Sequence, residues 1–231
     1  MKVYSIVISG NETSEHGYEQ LVKSSKEVSN DFEIERLKAA TPPDVETMLR
    51  DLGIGWNYLW EGSEIDELSG LRKTAYPTVN RWARVACALS HFTAWCGCAM
   101  ADTPMLILEH DAYFIKKLDI KPEDFTASIL GINDPRGATR KSGIFYKEMN
   151  NNPDQFQDVP WVDDDRLTPQ GLAGNSAYII KPEGARALID LVQKFGLWPN
   201  DAIMCRQLIP SLGISKKIYT TIQKLESTTT A

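Results

Sequence analysis

Pro104-Met105-Leu106-Ile107-Leu108-Glu109-His110-Asp111 is the stretch from which the architecture can be read. Four consecutive large apolar residues without polar alternation describe a strand covered on both faces, and such strands lie in the middle of a sheet. Just upstream, Val85, Leu89, Phe92, Cys96 and Ala99 recur at helical spacing, so Trp82 to Met100 reads as a helix with one buried stripe. Asp102-Thr103-Pro104 ends it. A helix, a break and a fully apolar strand in direct succession point to a layered α/β fold.

Outward from this centre, Met1 to Gly10 supplies a first strand, and Tyr18, Leu21, Val22, Ser25 and Val28 place an amphipathic helix over Ser14 to Asn30. Phe32 and Ile34 alternate with charged residues as a short strand would. Thr41 caps a helix that opens with Pro42 and Pro43, carries Asp44 and Glu46 in its first turn and should stop near Gly53. Gly55 to Asn80 mixes Trp56, Trp60, glycines and charges without a period and reads as irregular structure over a cleft. Further strands are expected at Ser128 to Gly131, Gly143 to Tyr146, Ser176 to Ile180 and Ile214 to Ile222, and helices at Pro182 to Phe195 and Pro199 to Leu208. The polar stretch Lys147 to Gly171 is too long for a mere connector, and such loops are often lids or binding loops. One domain over 1–226 is expected, with 227–231 a disordered tail.

With 231 residues, 42% of them hydrophobic and 24% charged, the chain can bury one substantial core. Its formal net charge of -6 argues against broad binding to nucleic acid or anionic membranes. A polyanionic acceptor would need a local basic patch, for which Arg72, Lys73, Arg81 and Arg84 are the candidates. No stretch approaches the roughly 18 to 20 apolar residues of a membrane span, and the N-terminus lacks a signal-peptide pattern, so a cytoplasmic location is expected. Cys87, Cys96, Cys98 and Cys205 show neither zinc nor disulfide spacing and read as reduced core residues. Nothing in the sequence sets the oligomeric state.

Ligands of open α/β sheets bind at the carboxyl ends of strands, which is where Glu109 and Asp111 stand. If the extended conformation continues, both carboxylates face one side and His110 the other. Two hard oxygen ligands suit Mg²⁺ or Mn²⁺. Taken alone, however, an acidic pair is more often the solvated end of a strand.

The wider pattern carries a resemblance. Ala86-Cys87-Ala88-Leu89-Ser90-His91, with Trp95 four residues on, followed by Leu106-Ile107-Leu108-Glu109-His110-Asp111-Ala112, resembles the central motif pair of glycosyltransferase family 25. This is the family of lipooligosaccharide galactosyltransferases and their relatives. Gly174-Asn175-Ser176-Ala177-Tyr178-Ile179-Ile180 and Gly184-Ala185-Arg186-Ala187-Leu188 resemble its glycine-to-tyrosine strand and the helix after it, and Pro199-Asn200-Asp201 its late proline and aspartate element. Where the family tends to show Gly-Glu-Ile-Gly, this chain has Ala83-Arg84-Val85-Ala86, so Arg84 either adds a phosphate contact or marks a changed donor. His110 stands in place of the commoner middle aspartate. Ser9-Gly10-Asn11-Glu12 replaces the usual arginine-rich segment after the first strand.

The resemblance implies a GT-A-like, Rossmann-type α/β fold with a mixed, mostly parallel central sheet and helices on both faces. It implies an inverting transfer from a nucleotide-diphosphate sugar, UDP-sugar first among them, to a hydroxyl of a glycan or other acceptor, with Mn²⁺ or Mg²⁺ as cofactor. A bacterial surface glycan is the acceptor it suggests. Glu109 and Asp111 would hold the metal, Asp111 acting in catalysis, with His110, Ser90, His91 and Arg84 beside the donor and Asp201 as general base. For Asp201, an ordinary first-turn aspartate remains as good a reading, and the run Asp163-Asp164-Asp165 is a second source for the base. The competing function is a catalytically silent GT-A-like domain that binds nucleotide or glycan. A two-metal phosphoesterase would want more ligands than these. A dinucleotide-binding domain would want a Gly-x-Gly-x-x-Gly that does not follow the first strand.

Overall fold

The structure is a computed structural model that describes residues 1–138 and 140–225; the tail assigned to 227–231 lies outside the described residues. In chain order the elements are β1 (Lys2–Val7), α1 (Glu12–Glu27), β2 (Glu35–Lys38), α2 (Val45–Leu52), β3 (Ser63–Ile65), β4 (Arg72–Thr74), α3 (Arg81–Ala101), β5 (Met105–Glu109) and β6 (Ala112–Phe114). There follow β7 (Ile129–Gly131), α4 (Ser142–Asn151), β8 (Phe156–Asp158), β9 (Ala177–Ile180), α5 (Pro182–Phe195), α6 (Asn200–Ile203), β10 (Leu212–Ser215) and β11 (Thr220–Ile222).

Seven strands form one mixed sheet in the order β2-β1-β5-β9-β7-β10-β8. β2, β1, β5, β7 and β10 run one way; β9 and β8 run against them. This is the mostly parallel α/β sheet expected, and β5 lies inside it between β1 and β9.

Alternate side chains of β5 enter two separate cores, which is why its sequence does not alternate with polar residues. Met105 and Ile107 join a cluster with Val85, Leu89, Phe92 and Trp95 of α3 and Leu188 and Val192 of α5. Leu106 and Leu108 join a second cluster with Leu21 of α1, Phe114 and Ile179 on the other face. A strand buried on both sides needs apolar residues at every position.

The helix starts follow local chemistry. Asn11 and Asn80 accept the backbone N–H of Ser14 and Ala83 and so cap α1 and α3. Asp102 closes α3 in the left-handed conformation (φ 47°). Gly53 does the same after α2, with φ 66°, where the sequence placed the stop.

Several expectations need correction. The strand expected over Ile214 to Ile222 is two: β10 ends at Ser215 in the main sheet, and β11 pairs with β6 in a separate ribbon. The stretch Lys147 to Gly171 is not all loop, since it carries the end of α4 and the edge strand β8. The second strand is Glu35–Lys38, not Phe32 to Ile34; it lies at the sheet edge, where exposed charged residues discourage further pairing, while Phe32 packs on Phe114. Gly143 to Tyr146 belongs to α4, whose Phe145 and Met149 are buried four residues apart. The helix expected over Pro199 to Leu208 is only Asn200–Ile203. Gly55 to Asn80 is irregular except for the β3–β4 hairpin, in which buried Lys73 pairs with Asp66 at 2.5 Å and lies over the Trp198 ring.

Because Leu106 is fully buried beneath α1, Leu106→Ala should cost about 2–5 kcal/mol of stability by leaving a cavity in the second core, measured by urea unfolding.

Candidate active site

The carboxyl ends of β1, β2 and β5 open onto a cleft with two adjoining lobes. The first, of about 480 Å³, is lined by Ile6 of β1 and Ile8 just past it, Ala39 to Pro42 past β2, Ala86, Ser90 and His91 of α3, and Glu109, His110 and Asp111. The connections from β1 and β5 leave in opposite directions across the sheet, so this lobe occupies the topological switch point at which α/β sheets bind ligands. The second, of about 370 Å³, is lined by Tyr76, Arg84, Arg140, Asn175, Ser176 and Asp201, among others. Cys87, Glu109, Asp111 and Ile222 line both.

The chain does not stay extended through the acidic triplet. β5 ends at Glu109, His110 and Asp111 form a turn, and β6 starts at Ala112. Both carboxylates nevertheless reach the same wall. Gln223 holds the turn in place: its backbone N–H donates to the Asp111 carbonyl at 2.7 Å, and its side-chain amide donates toward the carbonyls of Gly17, His110 and Ala112. His110 packs against α1 at Gly17, where a β-carbon would meet the His110 carbonyl oxygen at 2.8 Å and its ring at 3.2 Å. Burial holds the His110 imidazole below its ordinary pKa, against the opposing pull of Glu109 and a hydrogen bond with the Ile6 backbone.

Glu109 is held from α3. His91, itself buried, places Nε2 3.0 Å from Glu109 Oε1 and Nδ1 2.9 Å from the Tyr178 hydroxyl, which also accepts from Trp95 Nε1 at 2.9 Å. Every hydrogen in the chain finds an acceptor if Trp95 donates to Tyr178, Tyr178 to His91 Nδ1, and His91 Nε2–H to Glu109. Burial, the largest single influence, would raise the Glu109 pKa; the His91 hydrogen bond together with the charges of His91 and His110 outweighs it and holds the carboxyl below its ordinary value.

Among the described residues Asp111 has no such partner. Its Oδ1 is buried without a hydrogen bond, and burial first, then the neighbouring Glu109 charge, pushes its pKa up from 3.8 to about 7. An orphaned carboxylate oxygen beside a second carboxylate is a place for a cation. Among the described residues no group of three or more His, Cys, Asp or Glu side chains forms a complete cage. Mg²⁺ is often held by only one or two carboxylates and completed by substrate oxygens, and Asp111 and Glu109 are the residues that would hold such an ion here.

Asp201 lines the second lobe but not the first. Burial raises its pKa, opposed by the charge of Arg84 and by the nearby Tyr76 hydroxyl. Gly171 sets its position: a β-carbon there would lie 2.6 Å from the Asp201 carbonyl oxygen and 2.9 Å from that of Met204, so only glycine lets α6 approach.

Other expected residues have different partners. Ser90 accepts from the Ala40 N–H at 2.9 Å and donates to the Ala86 carbonyl, so its hydroxyl fixes the loop after β2 at the rim of the first lobe. Arg84 lines the second lobe, lies over the Tyr76 ring, and donates to Thr78 Oγ1 and the Pro77 carbonyl. The basic patch does not form, because Arg72 pairs with Asp165, Lys73 with Asp66 and Arg81 with Glu61. Asp163 is paired with Arg140 and Lys141. Neither lobe is lined by Asp163, Asp164 or Asp165, so the geometry favours Asp201 over that run.

A family model described as glycosyltransferase family 25 (LPS biosynthesis protein) matches residues 82–204, more than half of the chain and the span from α3 through α6. The chain belongs to glycosyltransferase family 25. It is a sugar-transferring enzyme, and its sheet is mixed and mostly parallel, as the motifs implied. No curated protein matches this glycosyltransferase. Among solved structures its fold is similar to mouse xyloside xylosyltransferase 1 in the apo form, at 10% identity and a TM-score of 0.45 over 91% of this chain and 83% of that one. It is also similar to the galactosyltransferase LgtC in complex with donor and acceptor sugar analogues, at 10% identity and a TM-score of 0.47 over 93% and 73%. Likenesses this distant carry no weight for the chemistry of this family 25 enzyme.

Sequence reasoning missed Tyr178, Trp95, Tyr76, Asn175 and Gln223 as site residues of the glycosyltransferase. Trp95, Asn175 and Tyr178 stood inside the family motifs without a role assigned to them. Tyr76 and Gln223 carried no local signal, since their roles arise from contacts between distant segments.

The Asp111 carboxyl gives a test of the site. Between about pH 4 and pH 7 the native state keeps a proton on Asp111 that the unfolded chain has released, so this residue's contribution to stability falls as pH rises through that window. In a chelator, Asp111→Asn should remove that loss. Relative to wild type, its thermal midpoint should gain between about pH 4 and pH 7, and a pH-independent difference would contradict the shift.

Proposed function

We propose that this glycosyltransferase moves a sugar, with inversion, from a nucleotide-diphosphate donor, a UDP-sugar, to a hydroxyl of a glycan acceptor, using Mn²⁺ or Mg²⁺. One observation carries the reading: the Glu109 and Asp111 carboxylates line both lobes, whereas Asp201 lines only the second. A donor laid across the shared wall has its nucleotide in the first lobe and its sugar turned toward the second, where the acceptor enters beside Asp201.

The first lobe suits a nucleotide. It lies at the switch point, its walls are mainly apolar, and the capped starts of α1 and α3, at Asn11 and Asn80, border it. Helix starts favour anions. No lysine or arginine lines this lobe among the described residues, so a diphosphate there depends on those helix starts and on a cation at Asp111. When bound, the divalent ion neutralises the departing diphosphate as a Lewis acid. Glu109, kept ionised and oriented by His91, shares in holding it.

Asp201 takes the proton of the acceptor hydroxyl while its oxygen attacks the anomeric carbon from the face opposite the leaving diphosphate. Its raised pKa makes it a stronger base than an exposed aspartate, and Tyr76 and Arg84 line the same lobe. Residues 1–226 act as one catalytic domain; the sheet draws strands from Lys2 through Ser215, which supports that reading. The acceptor class is a bacterial surface glycan assembled in the cytoplasm, in keeping with the family's description. No helix among the described residues is long and apolar enough to cross a membrane.

Two substitutions separate the roles. Asp111→Asn should abolish metal-dependent transfer while leaving the far-ultraviolet circular dichroism unchanged; full activity would end its assignment as a metal ligand. Asp201→Asn should lower kcat by ~10²- to 10⁴-fold with little change in donor affinity. Normal turnover in that variant would move the base elsewhere.

A further inference from the structure

Buried polar side-chain atoms without a hydrogen bond are rare in folded proteins, and each calls for a cause. Among the described residues they are Ser5 Oγ, Asp111 Oδ1, both amide atoms of Asn175, and Ser176 Oγ. All but Ser5 line the second lobe. The coincidence points to a ligand that completes the bonds.

The topology explains why Asn175 and Ser176 stand there. β9 runs antiparallel to β5, so the start of β9, not its end, lies at the same sheet edge as Glu109. The Glu109 N–H donates to the Ser176 carbonyl at 2.8 Å, which fixes Asn175 and Ser176 directly beside the shared wall. Gly174, with φ 90°, makes the turn into this segment against Asn133. Asn175 is only 5% exposed and Ser176 4%, so neither amide nor hydroxyl is compensated by bulk water.

We propose that Asn175, assisted by Ser176, reads the hydroxyls of the transferred sugar. A carboxamide offers two N–H donors and one carbonyl acceptor side by side, which matches two neighbouring hydroxyls of a pyranose, each both donor and acceptor. The acceptor sugar presents the same chemistry. The donor sugar is favoured because it is tethered to a diphosphate near Asp111 and so lies at the wall that Ser176 adjoins, while the acceptor lies toward Asp201. A site that buries groups for hydrogen bonding a hydroxyl discriminates strongly against a sugar that cannot supply it. Asn175 is then the specificity-determining residue among hexoses. This inference rests on the nucleotide-sugar reading of the cleft.

The test compares a nucleotide with its own sugar conjugate. Titration calorimetry in Mn²⁺ with UDP-, GDP-, ADP- and CMP-hexoses identifies a donor that the wild-type enzyme binds. That donor and its parent nucleotide are then titrated into Asn175→Ala and Asn175→Asp. Asn175→Ala should weaken the sugar nucleotide by ~10-fold or more and leave the parent nucleotide unchanged. Its thermal midpoint should equal or exceed that of wild type, because an unsatisfied buried amide has been removed, an outcome a merely structural residue would not give. Asn175→Asp should shift the relative affinities of the galactose and glucose conjugates. Equal loss of nucleotide and sugar nucleotide, no loss of either, or an effect confined to the KM of the acceptor would each overturn the proposal. A wild-type enzyme that binds no member of the panel would instead overturn the nucleotide-sugar reading beneath it.

Discussion

The contact between His91 and Glu109 ties the main helix of this enzyme to the end of its central strand. It joins α3 to β5 at the point where an apolar layer meets a solvent-facing cleft, and it leaves no hydrogen-bonding group of the buried imidazole unused. Tyr178 and Trp95 continue the chain into the core, so the carboxylate at the mouth is braced by side chains that have little rotamer freedom of their own. A carboxylate anchored in this way keeps its charge despite burial. Its neighbour Asp111, unanchored, has its pKa pushed up toward neutrality. Adjacent acids thereby acquire different character from the same wall.

That contrast organises the cleft. The ionised Glu109 raises the cost of a second charge at Asp111, and the cost falls when a cation or a proton arrives. Around this centre most side chains serve position: Ser90 pins the loop after β2, Gln223 clamps the His110–Asp111 turn, Gly17 leaves room for His110, and Gly171 lets α6 bring Asp201 close. The orphaned amide of Asn175 and hydroxyl of Ser176 are exceptions, with no partner among the described residues.

Much of the fold was legible in residues close together in the chain. The apolar run Met105 to Leu108, the helical stripe before it, the stop at Gly53 and the Pro182 to Phe195 helix each carry their signal within a few residues. Short elements were less legible. Gly143 to Tyr146 looked like a strand because a four-residue window cannot separate strand from helix, and the burial of Phe145 with Met149 is visible only over a longer one. Phe32 and Ile34 alternate as in a strand, yet they plug the core beside α1 while the charged residues after them pair with β1.

For the site, the sequence by itself determined which acids stand at the end of the buried strand and, through the ordered motifs, the family to which the enzyme belongs. Local composition suffices for that because strand burial and motif spacing are properties of neighbouring residues. Only the tertiary structure decided that His91 serves Glu109, that His110 turns away toward α1, that the supposed basic patch is consumed by ion pairs, and that β9 brings Asn175 to the same edge. Each of these depends on which distant segments the sheet order places side by side. An antiparallel strand within a mostly parallel sheet reverses which of its ends meets the ligand, and no window along the chain records that direction.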